Sequence, residues 1–310
     1  MEKVNLTSGF TLLAFSDLHY NHGVLFSTLV VIYALTWTAN LLLISSIILS
    51  AQLHTPMYFF LVNLSVVDFS FSTMTVPKLL SCILRGGTSI SFHGCFLQMF
   101  FFVLLGTTEN FLLSVMAFDR YLAVCTPLRY LSLMNDKVML TMNISCWVAS
   151  CLHSILYTYT LSQLKYCEDR LIHHFFCDVT SLLKLSCSNT SLAELLIYTE
   201  GSMVITIPFL LILISYVAIA SAIVKIKTSS SRSKAFSSCS SHLMVISLFY
   251  GTIIFIYIRP PSNYSSQYDR IVSMAYTIIT PMLNPFIYSL RNQDVKQAMK
   301  KLIMQCFSFS

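Results

Sequence analysis

Seven stretches of this chain run for about twenty residues or more with almost no ionised side chain, and that pattern decides the class of fold. Val24 to Ser50 carries no charge at all. Met57 to Leu80 holds one acid, Asp68, and ends near Lys78. Phe96 to Val124 holds Glu109 and meets Asp119 and Arg120 only near its end. Val138 to Leu161 and Ile271 to Leu290 are free of charge, Leu195 to Val224 contains only Glu200, and Phe236 to Ile258 contains only His242. A hydrocarbon core about 30 Å thick needs about 20 apolar residues in helix. Unpaired backbone cannot sit in lipid, so each run reads as a helix. Outer-membrane barrels are excluded, because their strands are about ten residues long and alternate apolar with polar.

Composition agrees. Charged residues make up 10% of the chain and hydrophobic ones 55%, against roughly 25% charged in a soluble domain. Such a chain could not cover the surface of a soluble enzyme. Its 23 Phe, 16 Tyr and 14 Met exclude disorder. The expected fold is an all-α membrane protein, a seven-helix bundle in one domain over residues 1–310. The spans are about 24–50, 57–80, 96–124, 138–161, 195–224, 236–258 and 271–290.

Lys and Arg in the short loops set the orientation. With the N-terminus outside, the inner side carries eleven cations, Arg120 and Arg129 among them, against three acids. The outer side carries eight cations against seven acids. Residues 1–23 are therefore an outer tail, 161–195 a long outer loop and 291–310 an inner tail. Phe10 to Phe15 is too short and lacks the basic flank of a leader, so the first span is expected to target the chain. A basic inner face suits anionic lipid and an acidic partner surface, and no feature suggests nucleic acid.

Four of the ten cysteines, Cys95, Cys167, Cys177 and Cys187, fall on the outer, oxidising side. An even number suggests two bridges, and the sequence permits three pairings. A loop this long is usually functional, and pinned to the third span it would form a lid. Of five Asn-x-Ser/Thr sequons, those at Asn63 and Asn143 lie inside spans. Asn5 in the outer tail is the expected glycosylation site; Asn189 and Asn263 lie close to the membrane. His173 and His174 are not expected to bind metal, since two adjacent His rarely share one ion. No nucleophile with an orienting base, phosphate loop or HExxH motif is visible, so no enzyme activity is expected. A transporter should show internal repeats or interrupted helices, and neither is evident.

Short motifs narrow the choice. Met116-Ala117-Phe118-Asp119-Arg120-Tyr121 closes the third span and continues to Pro127-Leu128-Arg129-Tyr130; Asn284-Pro285-Phe286-Ile287-Tyr288 lies near the end of the seventh. Together they resemble the rhodopsin-like G-protein-coupled receptors. Leu53-His54-Thr55-Pro56-Met57-Tyr58, Ser215-Tyr216, the run from Lys234 to Leu243 and Pro281-Met282-Leu283 resemble the olfactory receptor branch. The likeness covers essentially the whole chain. Phe249-Tyr250-Gly251 departs from the Cys-Trp-x-Pro hinge of most rhodopsin-like receptors, which fits the olfactory branch and leaves the sixth helix without a proline kink. Ala39 stands before Asn40 where Gly is usual, and Phe118 where many of these receptors have Tyr.

The resemblance implies that Cys95 pairs with Cys177 and Cys167 with Cys187. It implies a small, mostly apolar odorant bound in the outer half of the bundle, and a stimulatory heterotrimeric G protein that raises cyclic AMP. The expected location is the plasma membrane, in cilia of olfactory sensory neurons, with a short amphipathic helix after the seventh span. Helical spacing places Phe102, Gly106 and Asn110 on the inner face of the third span, with Val103 and Thr107 on its flank. By resemblance Glu200, Val204, Ile253, Tyr257, Met274 and Thr277 line the other walls. Plain helix packing is the alternative for any one of them.

Asp119 and Arg120 form the expected switch. Asp119 holds the guanidinium at rest, and Tyr216, His242 and Tyr288 receive it on release, with Tyr121, Asn284 and Pro285 completing the coupling residues. The alternative is a cation that snorkels to the headgroups. Asp68 and Glu109 are two mid-span acids, with Asn284 at similar depth. Glu109 precedes Arg120 by eleven residues, about three turns, so both look into the bundle. Two close carboxylates cannot both ionise cheaply, so either one stays protonated or a cation sits between them; the resemblance implies a sodium-type pocket, and the alternative is a neutral hydrogen-bonded pair with no ion. Pro208, Pro281 and Pro285 are expected to loosen their helices.

Overall fold

The computed structural model describes residues 9–15, 21–167, 170–257 and 266–308. Asn5, Ile258, Arg259 and Asn263 lie outside the described residues, as does the side chain of Tyr257. The helices are α1 (His22–Leu49), α2 (Pro56–Arg85), α3 (Phe92–Cys125), the one-turn α4 (Tyr130–Leu133), α5 (Asp136–Ser162), α6 (Val179–Leu185), α7 (Ser191–Lys225), α8 (Ser229–Tyr257), α9 (Ser266–Met274), α10 (Thr280–Arg291) and α11 (Gln293–Ser308). Five of them, α1, α2, α3, α5 and α7, are long and apolar enough to cross a bilayer, and so is the segment Tyr268–Ser289. Within α8 the apolar stretch is shorter, Cys239–Ile254. The protein is thus a seven-helix membrane bundle, followed by an amphipathic helix, α11.

Helix ends fall where capping chemistry puts them, a few residues beyond the apolar runs. The Asn21 side chain accepts from Val24 N, Ser91 from Gly94 N and Asn135 from Val138 N, starting α1, α3 and α5. Pro56 opens α2, where its missing N–H is harmless. Gly86, at φ 67°, closes α2 in the left-handed region that glycine adopts without strain. The helices overshoot because their ends stand among headgroups, where polar side chains are tolerated. At α2, 30 residues make about 45 Å, against about 30 Å of hydrocarbon.

The seventh span is not one regular helix. Between α9 and α10 lies a π-helical turn, Ala275–Ile279. It ends just before Pro281, which lacks an N–H and would crowd the carbonyl one turn earlier. The wider turn relieves that conflict, and Thr280 Oγ1 returns a hydrogen bond to Ala275 O at 3.2 Å. Such turns often stand at functional sites.

On the outer side a three-stranded sheet caps the bundle. The tail strand β1 (Phe10–Leu12) lies between β2 (Thr88–Ile90) and β3 (Leu171–Ile172), antiparallel to the first and parallel to the second. Two cores result. The outer one gathers Phe10, Leu12, Phe15, Met99, Phe175 and Phe176 with the upper halves of α2 and α3. The inner one gathers Leu64, Leu112, Met116, Val245, Phe249 and Tyr288 from helices, and Val295 of α11 joins it. Phe102 packs against both.

Candidate functional site

Two bridges hold the lid, one to α3 and one within the loop itself. Cys95 at the start of α3 is joined to Cys177, with Cα atoms 5.4 Å apart, and Cys167 to Cys187 at 5.9 Å. The first bridge carries Phe175 and Phe176 onto the bundle. Phe176 stacks on Phe102 with centroids 4.2 Å apart, and Phe102 meets Phe71 edge to face at 5.2 Å. Gln98 reinforces the attachment: its Oε1 accepts from Cys177 N at 3.1 Å while its Nε2 donates to Met74 O at 3.2 Å. The buried His174 lies against Ser273 of α9 at 3.2 Å. Burial pushes its pKa down to about 4; Asp178 opposes that shift and Arg270 adds to it. Arg270, itself buried, donates to Ala14 O and lies over the Phe15 ring.

Among the described residues, those expected to line the pocket have definite neighbours; the side chain of Tyr257 is not among them. Asn110 is engaged on both sides, donating from Nδ2 to Val204 O at 2.8 Å and accepting from the Tyr250 hydroxyl at 2.5 Å. It therefore links α3 to α7 and to α8. A Cβ on Gly106 would stand 2.9 Å from the Tyr276 hydroxyl and 3.7 Å from Phe71. Thr107 and Thr277 are buried, and Thr277 Oγ1 donates to Ser273 O at 2.8 Å. Val103 and Met274 pack on the outer core and Ile253 on the inner. Glu200 is placed differently. Its carboxylate meets His153 Nδ1 of α5 at 2.7 Å, so the pair bridges α5 and α7. Phe71, Phe176, Tyr250 and Tyr276 belong to this region and were missed by sequence reasoning. Phe176 carried a signal in being next to Cys177, and Tyr250 in standing where the sixth span departs from the usual hinge.

Deeper in the bundle, Asn284 Nδ2 donates to both oxygens of Asp68 at 3.0 Å, and the Tyr276 hydroxyl donates to Glu109 Oε2 at 3.4 Å. Asn40 Nδ2 ties the same layer to α10 through Pro281 O at 3.1 Å. Asp68, Glu109 and Asn284 are all 1% exposed. The buried atoms left without a hydrogen-bond partner here include Glu109 Oε1, Asn284 Oδ1 and Asn40 Oδ1. All three are acceptors, so a proton or a small cation fits the donor set, whereas an anion does not.

At the inner end Arg120 Nε and Nη2 donate to Asp119 Oδ2 at 3.2 and 2.7 Å. Asp119 is fully buried, and its other oxygen accepts from the Tyr130 hydroxyl at 2.7 Å. Tyr130, on α4, belongs to the motif that runs on from α3. Across the bundle the Tyr216 hydroxyl and His242 Nδ1 are 2.8 Å apart, tying α7 to α8. Tyr288 is buried nearby in the inner core, and Tyr121 stacks on Phe118. Burial and the Asp119 carboxylate raise the Tyr130 pKa, so it stays a hydrogen-bond donor.

The comparisons with known proteins agree with one another. Residues 29–306 match the family model described as olfactory receptor. The chain is similar to olfactory receptor-like protein I9 of Rattus norvegicus, 46% identical over 284 residues, which is 92% of this chain and 90% of that one. It is 48% identical to olfactory receptor 1 of the same species over 270 residues, 87% of this chain and 86% of that one. It is also 46% identical to olfactory receptor 1G1 of Gorilla gorilla gorilla over 305 residues, 98% of this chain and 97% of that one. A lid bolted to the third helix, an acid–arginine pair at its inner end and likeness along nearly the whole length lead to one conclusion: the chain belongs to the olfactory receptor family, as a multi-pass odorant receptor of the plasma membrane and not an enzyme.

Proposed function

We propose that this receptor binds a small, mostly apolar volatile beneath the lid and activates a stimulatory, olfactory-type heterotrimeric G protein, raising cyclic AMP. It works from the ciliary membrane of olfactory sensory neurons. The observation that carries the reading is the double hold on Asp119, which keeps Arg120 on one carboxylate oxygen and Tyr130 on the other. That is a resting arrangement, and a ligand that favours another arrangement shifts the population towards it. The ligand acts through Asn110, the residue that ties α3 to both α7 and α8. When the outer ends of those helices close on an odorant, their inner ends move apart and the Tyr216–His242 tie between α7 and α8 breaks. Arg120 leaves Asp119 and turns to the G protein, with Tyr216 and Tyr288 as its new neighbours.

Asp68, Glu109 and Asn284 bias the same equilibrium from the middle of the bundle. They hold a sodium ion or share a proton, and either supplies the positive charge that lets two buried acids stay close at rest. The test is a cyclic-AMP reporter in cells expressing the receptor, run against a chemically broad odorant panel at two sodium concentrations. At least one volatile should raise cyclic AMP, and Asp68→Asn should reduce the sodium or pH dependence without reordering the agonists. A receptor at the cell surface whose agonists raise calcium but never cyclic AMP would overturn the choice of G protein.

A further inference from the structure

On the lipid-facing side of the bundle, away from the odorant region, a cavity of about 400 Å³ lies between the outer halves of α2 and α3. Its walls include Thr73, Met74, Pro77, Ser81 and Leu97, and Lys78 is the charged residue among them. The volume falls in the range of small-molecule sites, roughly 300–1,000 Å³. Leu97 is 57% exposed, so this wall stands where acyl chains run. Gln98 closes the inner side, with both ends of its amide engaged, by Met74 O and Cys177 N.

Depth and charge identify the occupant. Lys78 lies seven residues before the outer end of α2 at Arg85, about 10 Å below that end. Since α2 exceeds the hydrocarbon thickness by about 15 Å, Lys78 stands near the boundary between headgroups and acyl chains. Its Nζ donates to Ser89 O at 2.8 Å, one of the three donors that an ammonium has. Deeper along the groove, Trp37 Nε1 and the Tyr33 hydroxyl both donate to Thr73 Oγ1, at 3.1 and 3.5 Å. A cation at the head of an apolar groove, at headgroup depth, matches a phosphate diester with a hydrocarbon tail. A sterol would bring only a hydroxyl to the ammonium.

We propose that the α2–α3 groove is a phospholipid site of the outer leaflet. The phosphate of a glycerophospholipid sits on Lys78, and one acyl chain lies along Met74, Pro77 and Leu97. Gln98 joins this wall to the lid at Cys177, so the bound lipid braces the surface to which the lid is bolted.

The experiment uses the full-length receptor, purified in mild detergent and titrated with palmitoyl-oleoyl phosphatidylglycerol, with bound lipid counted by native mass spectrometry. The receptor should retain one phospholipid through stepwise delipidation. Lys78→Met keeps the stem and removes the charge, and should weaken binding about tenfold, as loss of one hydrogen bond from a charged group does. Lys78→Arg should restore it. Leu97→Trp fills the groove and leaves the charge, and should also displace the lipid, which guards against misfolding of a single variant. Equal retention by Lys78→Met and the unaltered receptor overturns the proposal. So does retention of cholesterol in place of phospholipid, or of no lipid at all.

Discussion

The outer and inner halves of this receptor are built on opposite principles. The outer half is held by two disulfides, a strand from the N-terminal tail and stacked phenylalanines, with Arg270 buried against Ala14 and Phe15. The inner half is held by its apolar core and by side-chain hydrogen bonds, from Arg120 and Tyr130 to Asp119 and between Tyr216 and His242. Breaking a covalent bridge leaves nothing to replace it, whereas exchanging one hydrogen-bond partner for another is close to neutral. On the proposed function, the difference would place recognition on a covalently braced frame and switching on a hydrogen-bonded one. Phe102, packed against both cores, stands where the two meet.

The largest effect expected of any single change is on the outer frame. Cys95→Ala or Cys177→Ala should abolish delivery to the cell surface, read by immunostaining of unpermeabilised cells. The bridge spans 82 residues against 20 for Cys167–Cys187. Chain-entropy estimates give about 4–5 kcal/mol for the first and about 3 for the second, so Cys167→Ala should leave a measurable fraction at the surface. Equal losses from both bridges would show that the outer half does not depend specifically on the bolt to α3.

Next comes the inner switch. Arg120→Ala should reach the surface, bind odorant and give no cyclic-AMP response. Tyr130→Phe removes one of the two holds on Asp119, and should raise basal cyclic AMP by about tenfold, near the lower end of the worth of one hydrogen bond to a charged group. Unchanged basal activity in Tyr130→Phe at matched surface expression would mean that Arg120 alone sets the resting state.

A smaller, selective change is expected where the two halves meet. Gly106→Val pushes a side chain towards the Tyr276 hydroxyl, 2.9 Å from the first added carbon. It should reorder the potency of odorants while leaving maximal coupling intact. Tyr276→Phe in the same chain should restore part of the original order, because it removes the atom that is crowded. Uniform scaling of every response would place the odorant elsewhere.

The smallest effect is a pH dependence of the lid. The ordinary His pKa is near 6.5, and burial pushes that of His174 down to about 4. Between those values the unfolded lid binds the extra proton and the folded one does not. Stability from this residue is therefore complete above pH 6.5 and is lost as pH falls towards 4. Melting curves of the purified receptor should shift downwards across that interval, and His174→Asn should flatten the shift. A shift that persists in His174→Asn would assign the proton to another group.

The helices were legible in the sequence because a bilayer demands long apolar runs and allows few charges within them. Their ends were not, because Asn21 and Ser91 start helices with polar atoms that lie outside the runs. The sheet was illegible for a different reason: strands of three residues, such as Thr88–Ile90, are too short to show an alternating pattern. The motif around Asp119 and Arg120 marked the acid–arginine pair, yet gave Tyr130 no role, since its partner is fixed only when α4 folds back on α3. Glu200 stood out as the only acid of its span. Its neighbour His153 did not, because a histidine in a charge-free helix reads as one more neutral residue until the fold sets it beside a carboxylate.

The tail strand has a consequence for the order of synthesis. Thr11 pairs with Leu171, a residue that the ribosome reaches 160 positions later. At about 5–20 residues per second, that is a wait of roughly 10–30 s, during which four spans are threaded into the membrane. Until then β1 has only β2 beside it, and one of its edges stays open for pairing with other chains. The outer cap therefore closes late in biogenesis, and the emerging receptor passes through an interval in which its first translocated segment needs protection inside the secretory compartment.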